Sequence, residues 1–211
     1  CASLMAFVFG DPSILLVLAI TIVLAAVLYR TLSWILVLLI GLGLSLILVF
    51  LVGAVYEETL KGLVVAIKEV VAPPAQLAIL GVDSVTVDAW MASLSVGALS
   101  FVQIVSAIFA LIFARAVQAQ AYNPGGFKAE FEAVILPPMF AVGCLVLATT
   151  GFLIDPWMLR FTPVGALPLM FAGIALVHGL TSMRESRGLI IVFYAALVFF
   201  TPYLLMLLAL L

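Results

Sequence analysis

Apolar residues run along this chain in stretches long enough to cross a lipid bilayer, and short polar turns separate them. A span needs roughly 20 apolar residues, because the hydrocarbon core is about 30 Å thick and a helix rises about 1.5 Å per residue. The first such stretch covers 13–28, with Pro12 at a helix start, where its missing N–H is tolerated. Tyr29, Arg30 and Thr31 predict a tight polar turn, and 32–55 a second span with Trp34 as an interfacial anchor near one end. Further spans are predicted over 90–118, 139–154, 162–180 and 189–211, the third of the six being long enough to tilt or to extend past the bilayer. Pro202 either kinks the last span or splits it into two short halves. Two segments depart from this pattern. Over 56–71, Leu60, Leu63, Val64, Ile67, Val70 and Val71 recur at helical spacing among charged residues, predicting an amphipathic helix that lies in the interface. Pro73 and Pro74 end it, and 76–88 reads as a connection with some helix. The second segment, 121–136, is a turn followed by a short amphipathic piece that Pro137 and Pro138 break. The expected fold is all-α: one membrane-embedded domain over 1–211, a polytopic transmembrane bundle of about six spans plus two interfacial amphipathic helices.

Composition makes lipid the only solvent that accepts this surface. Hydrophobic residues are 67% and charged residues 9% of the 211, where a soluble domain has about a quarter charged. A net charge of -2 with eight scattered Lys and Arg lacks the basic stripe that nucleic acid requires. Two cysteines, Cys1 and Cys144, make neither a disulfide framework nor a metal site, and Cys144 reads as a small core residue. A chain that begins with Cys and stops inside an apolar run is expected to be a fragment of a longer one. For orientation, Arg30, Arg115, Lys128, Arg184 and Arg187 collect on one side, against Lys61, Lys68, Arg160 and most of the acids on the other. The positive-inside rule places the first side in the cytoplasm.

Few residues carry candidate chemistry. In Tyr122-Asn123-Pro124-Gly125-Gly126-Phe127, Pro then Gly at the central positions specifies a type II turn with positive φ at Gly125. Phe127 and Phe131 give the following helix an apolar face, and Lys128 pairs with Glu132 four residues on. This element is either a well-made turn with an interfacial anchor or a docking site for a partner. Ser93, Ser100, Gln103, Ala107, Ala114 and Gln118, with Thr86 and Ala89, form a stripe of small and weakly polar residues. Such a stripe packs helices closely in lipid, or lines a site for a polar ligand. Arg115 marks either a site or an ion pair within a span, or snorkels to the headgroups. His178, the only histidine, is a satisfied interfacial residue or a ligand or proton contact. No G-x-x-x-x-G-K-[ST], G-x-S-x-G, H-E-x-x-H or C-x-x-C-H is present, and no cofactor or metal is expected.

The run from Tyr122 to Phe127, then Glu130-Phe131 and Leu136-Pro137-Pro138, resembles the YybS-like family of bacterial polytopic membrane proteins. Asp11-Pro12 and Ala175-Leu176-Val177-His178-Gly179-Leu180 also look like that family's pattern. The resemblance implies a multi-pass protein of the bacterial inner membrane, longer at both ends, in a family without an assigned biochemical activity. At fold level only, the chain is also similar to the small six-helix substrate-binding subunits of vitamin transporters. Three functions follow as expectations. The favoured one is a non-catalytic accessory or structural subunit, holding other membrane subunits through its helix faces and the 122–131 element. The alternative is a binding or transport protein whose small-molecule ligand meets Ser100, Gln103, Arg115 or His178. A membrane enzyme is the remotest. Membrane lipid is a partner in every case, and nucleic acid in none.

Overall fold

The computed structural model describes residues 12–56, 60, 62, 64–65, 84–183 and 187–199. Among these, every regular element is a helix. They are α1 (Pro12–Thr31), α2 (Trp34–Val55), α3 (Ser84–Tyr122), α4 (Gly126–Glu132), α5 (Pro138–Leu153), a 3-10 helix (Pro156–Phe161), α6 (Thr162–Met183) and α7 (Arg187–Phe199). Four stretches are long and apolar enough to cross a membrane: Ile14–Thr31, Trp34–Val55, Val87–Tyr122 and Pro156–Ser182. The chain is a multi-pass membrane protein. The fourth expected span, α5, is apolar, but its 16 residues reach only about 24 Å. The sixth is described over the 13 residues of α7, and 200–211, with Pro202, lies outside the described residues. Most of the amphipathic segment 56–71 also lies outside them, although Leu60 and Val64 are described and buried.

The ends of the helices follow their backbone bonds more than the polarity of their side chains. Tyr29, Arg30 and Thr31 do not form the expected turn; α1 continues through them. The Leu32 N–H donates to the Leu28 carbonyl at 2.8 Å, and the Thr31 hydroxyl donates to that of Val27 at 2.8 Å. The reversal falls on Leu32, whose φ of 51° is left-handed, and on Ser33, whose hydroxyl accepts the Leu36 N–H and caps α2. At the other end of the bundle, Asp155 caps the 3-10 helix by accepting the Trp157 N–H at 2.7 Å.

α3 has 39 residues, about 58 Å of helix and nearly twice the hydrocarbon thickness. A Cβ on Gly53, near the end of α2, would lie 3.9 Å from Val96. The start of α3 therefore runs past the end of α2 by about 15 Å, so the helix begins inside the stretch read as a connection.

Helices in lipid gain little from burying apolar surface against one another, so close van der Waals packing must hold them together. Leu24, Val37, Leu38, Ile104, Ala107 and Ala175, drawn from α1, α2, α3 and α6, are wholly buried. Along the small-residue stripe of α3, Ser93, Ser100, Gln103 and Ala107 are buried, whereas Ala89, Ala114 and Gln118 are exposed. Its middle is a packing face. One close approach is between α5 and α6, where a Cβ on Gly165 would lie 2.8 Å from Ala148 N and 3.1 Å from Cys144 O. Only glycine lets these two backbones touch. Cys144 is buried beside that contact.

Candidate functional site

Four helices meet at the bundle end that carries the α1–α2 reversal, and a tight turn sets their arrangement. The Gly126 N–H donates to the Asn123 carbonyl at 3.0 Å, and Gly125 takes φ 90°. This is the geometry a Pro-Gly pair favours, and it folds α4 back towards α3. Arg115, two turns before the end of α3, then grips Glu130 of α4 with two parallel bonds: Nε to Oε2 at 3.0 Å, and Nη2 to Oε1. Its third nitrogen, Nη1, donates to Gln118 Oε1 at 2.9 Å. Forked guanidinium–carboxylate pairs are the strongest ionic contacts a side chain makes. The Arg115 guanidinium holds the Glu130 carboxyl below the usual carboxylate range, although partial burial opposes it. The buried Trp34 N–H adds a smaller pull while falling short of hydrogen-bond geometry.

The neighbouring face of α4 is aromatic. Phe127 packs edge-on to Trp34 at 6.2 Å between ring centroids, and Phe131 packs edge-on to Phe171 at 5.3 Å and to His178 at 5.4 Å. Trp34 also stacks on Phe171 at 5.8 Å. The first residue of α2, the short helix α4 and the stretch of α6 from Phe171 to His178 are thus joined by one set of rings. Trp34, expected as an interfacial anchor, is 3% exposed and serves as a core residue.

His178 extends this set to α7. Its Nδ1 lies 2.9 Å from the Ile174 carbonyl, which only accepts, so Nδ1 carries the proton. Nε2 is then an acceptor, and the Tyr194 hydroxyl donates to it at 3.1 Å. Both ring nitrogens are satisfied, which suits an orienting contact better than a proton-transfer site.

Between α3, α4, α6 and α7 lies a half-open cleft of about 440 Å³, within the range of small-molecule sites. Its walls are aliphatic and aromatic, including Phe101, Val105, Ile108, Leu167 and Met170. Lys128, Glu132, His178 and Tyr194 supply its polar groups. Lys128 Nζ and Glu132 Oε1 are 3.8 Å apart, a loose pair one helical turn in length.

Of the candidate residues, Phe127, Phe131 and His178 converge on this cleft. Arg115 stands behind it, committed to Glu130. Ser100 and Gln103 do not line it: both are buried on another face of α3, where the Ser100 hydroxyl donates to the Val96 carbonyl at 2.9 Å. The Gln103 amide has no hydrogen-bond partner among the described residues. Tyr122, Asn123, Pro124 and Gly125 are exposed, and Gly126 is half-buried at the start of α4. Glu130, Phe171 and Tyr194 carry much of the site, yet none stands at helical spacing from its partner on another element. Among the described residues, no group of three or more His, Cys, Asp or Glu could hold a metal ion. No protein-family model, curated protein or solved structure matches the chain.

Proposed function

We propose that this chain is a non-catalytic integral membrane protein that binds one apolar or amphiphilic small molecule in the cleft between α3, α4, α6 and α7. The observation that carries this reading is the cleft itself: an apolar space of about 440 Å³ with a few polar groups grouped on α4 and its neighbours. A polar solute would find too few partners there, so the ligand-binding reading is narrowed to hydrophobic cargo. His178, pinned by Ile174 and Tyr194, and Phe131 shape the wall. Native mass spectrometry of gently purified protein tests this against the cleft-filling variant Val105→Trp. The wild type should retain a stoichiometric small molecule that the variant loses. Equal retention by both would remove the cleft from the function.

A second reading, that of an accessory subunit of a larger bacterial inner-membrane assembly, draws support from the exposed turn. Tyr122 is 87% exposed, and nothing lies within 4 Å of a Cβ added to Gly125. Gly125→Val therefore strains only the backbone of the turn, through its positive φ. If the turn docks a partner, this variant should release a co-purifying protein without dissociating the cleft ligand. An unchanged complex would sink the subunit reading. The inner-membrane setting rests on the family resemblance of the 122–138 stretch.

A further inference from the structure

We infer that the occupant of the cleft is a single phospholipid with a zwitterionic headgroup bearing an N–H ammonium, its acyl chain against α3 and α6 and its headgroup on Lys128 and Glu132. This deepens the proposed function and rests on the cleft being a binding site. Three features point to it.

The first is length. The cleft follows α3 from Ile112, beneath α4, to Phe101, eleven residues or about 16 Å of helix. Half of a hydrocarbon core is about 15 Å, so the cleft has the reach of one leaflet's acyl chain. The second is polarity. Lys128 and Glu132 lie on α4 beside the last turns of α3, and Phe131, between them in sequence, touches His178. One end of the cleft is thus polar and the remainder is not, as an amphiphile requires.

The third is charge. Arg115 and Glu130 neutralise one another in a forked pair, and both ring nitrogens of His178 are already engaged. Among the described residues that line the cleft, Lys128 and Glu132 are the basic and acidic side chains left to meet a headgroup. Their 3.8 Å separation is too long for a hydrogen bond, so little is lost when each turns to a better partner. A phosphodiester would take a charge-assisted bond from Lys128, and a primary ammonium would donate one to Glu132. A purely anionic headgroup faces repulsion from Glu132, and a cationic one from Lys128. The exposed side chains of Phe109 and Tyr194 line the cleft too, so it opens on the lipid-facing surface. A lipid can therefore enter sideways from its own leaflet.

The test reconstitutes the full chain in vesicles of phosphatidylethanolamine and phosphatidylglycerol at equal mole fraction. In parallel preparations, one or the other lipid carries a diazirine in its acyl chain, and labelled peptides are mapped by mass spectrometry. The phosphatidylethanolamine probe should label residues 101–112 and 167–178 up to about fivefold more than the phosphatidylglycerol probe, since both lipids offer a phosphodiester to Lys128 and the one further charge contact, ammonium to Glu132, is worth up to about that ratio. Lys128→Gln with Glu132→Gln should bring the two probes to parity while leaving the labelling in the cleft. Equal labelling in the wild type overturns the headgroup assignment and leaves the cleft reading standing. Labelling by neither probe at the cleft, with normal labelling of the exposed Phe113 and Val117 face, overturns the cleft reading as well.

Discussion

Breaking the Arg115–Glu130 fork should release α4, and the size of the effect follows from its surroundings. The two side chains are 21% and 30% exposed, between a surface pair and a buried one. Exposed ion pairs contribute about 0.2–1 kcal/mol, and losing one partner of a buried pair costs about 3–5 kcal/mol. Two charge-assisted bonds at this intermediate burial place the coupling near 2 kcal/mol. A double-mutant cycle with Arg115→Gln, Glu130→Gln and the double variant isolates it by thermal unfolding in detergent. Each single variant should lower Tm by about 4–8 °C, and the double should be scarcely worse than either. The pH profile provides an independent check. The Glu130 carboxyl titrates lower in the folded protein than in the unfolded chain. Its contribution is therefore complete above the ordinary glutamate value of about 4.3, and is lost as pH falls through the depressed folded value. The wild type should lose its advantage over Glu130→Gln only across that acidic window. A coupling under about 0.5 kcal/mol, or a gap unchanged through that window, would refute the latch.

Three further substitutions probe other parts of the fold. Leu32→Gly should raise Tm by about 2–8 °C, since it removes a left-handed penalty of about 1–2 kcal/mol at a residue 71% exposed. Leu32→Ile should lower Tm, and the reverse order in unfolding scans would show that the left-handed reversal is wrong. Gly165→Val should cost about 1–3 kcal/mol or more, because its side chain enters the backbone of α5. Unfolding midpoints or loss of monodisperse protein will report it, and an unshifted midpoint would mean that α5 and α6 do not touch there. Tyr194→Phe should cost about 0.5–1.5 kcal/mol by removing the donor to His178 Nε2. Nitrogen-15 NMR should find the His178 proton on Nδ1 in both proteins, held by the Ile174 carbonyl, and an Nε2–H tautomer in the wild type would contradict this assignment.

The helical class was legible because lipid imposes it: apolar runs of span length must satisfy their backbone internally, and helices do so without partners. Local features of the site were equally plain. The positive φ at Gly125 and the Lys128–Glu132 pair both depend on residues a few positions apart, where spacing alone determines geometry. Helix ends were harder to read, because polar side chains at an interface do not interrupt backbone bonds. Thr31 and Ser33 turn their hydroxyls back onto the helices instead. The contacts that build the cleft were not legible. Arg115 meets Glu130 across a reversal whose direction depends on the turn, and Trp34 meets Phe171 across the whole length of the chain between them. Gln103 and Ser100 share polarity with a ligand-facing set but lie on a different face of α3, a distinction that only the neighbouring helices can make.

An open apolar cleft has a different meaning in lipid than in water. In water it would tend to close, because each exposed apolar Å² costs about 25 cal/mol; in a bilayer, hydrocarbon tails cover its walls at almost no cost. Nothing then drives α4 into the cleft, and the Arg115–Glu130 fork together with the Trp34–Phe127 contact is enough to hold it away. By the same reasoning, the apolar walls accept any acyl chain equally and cannot choose among lipids. Selection has to come from the rim, where Lys128 and Glu132 set the charge and His178 with Tyr194 sets the shape. Substitutions in the walls should therefore change whether the cleft is filled, and substitutions on α4 should change by what.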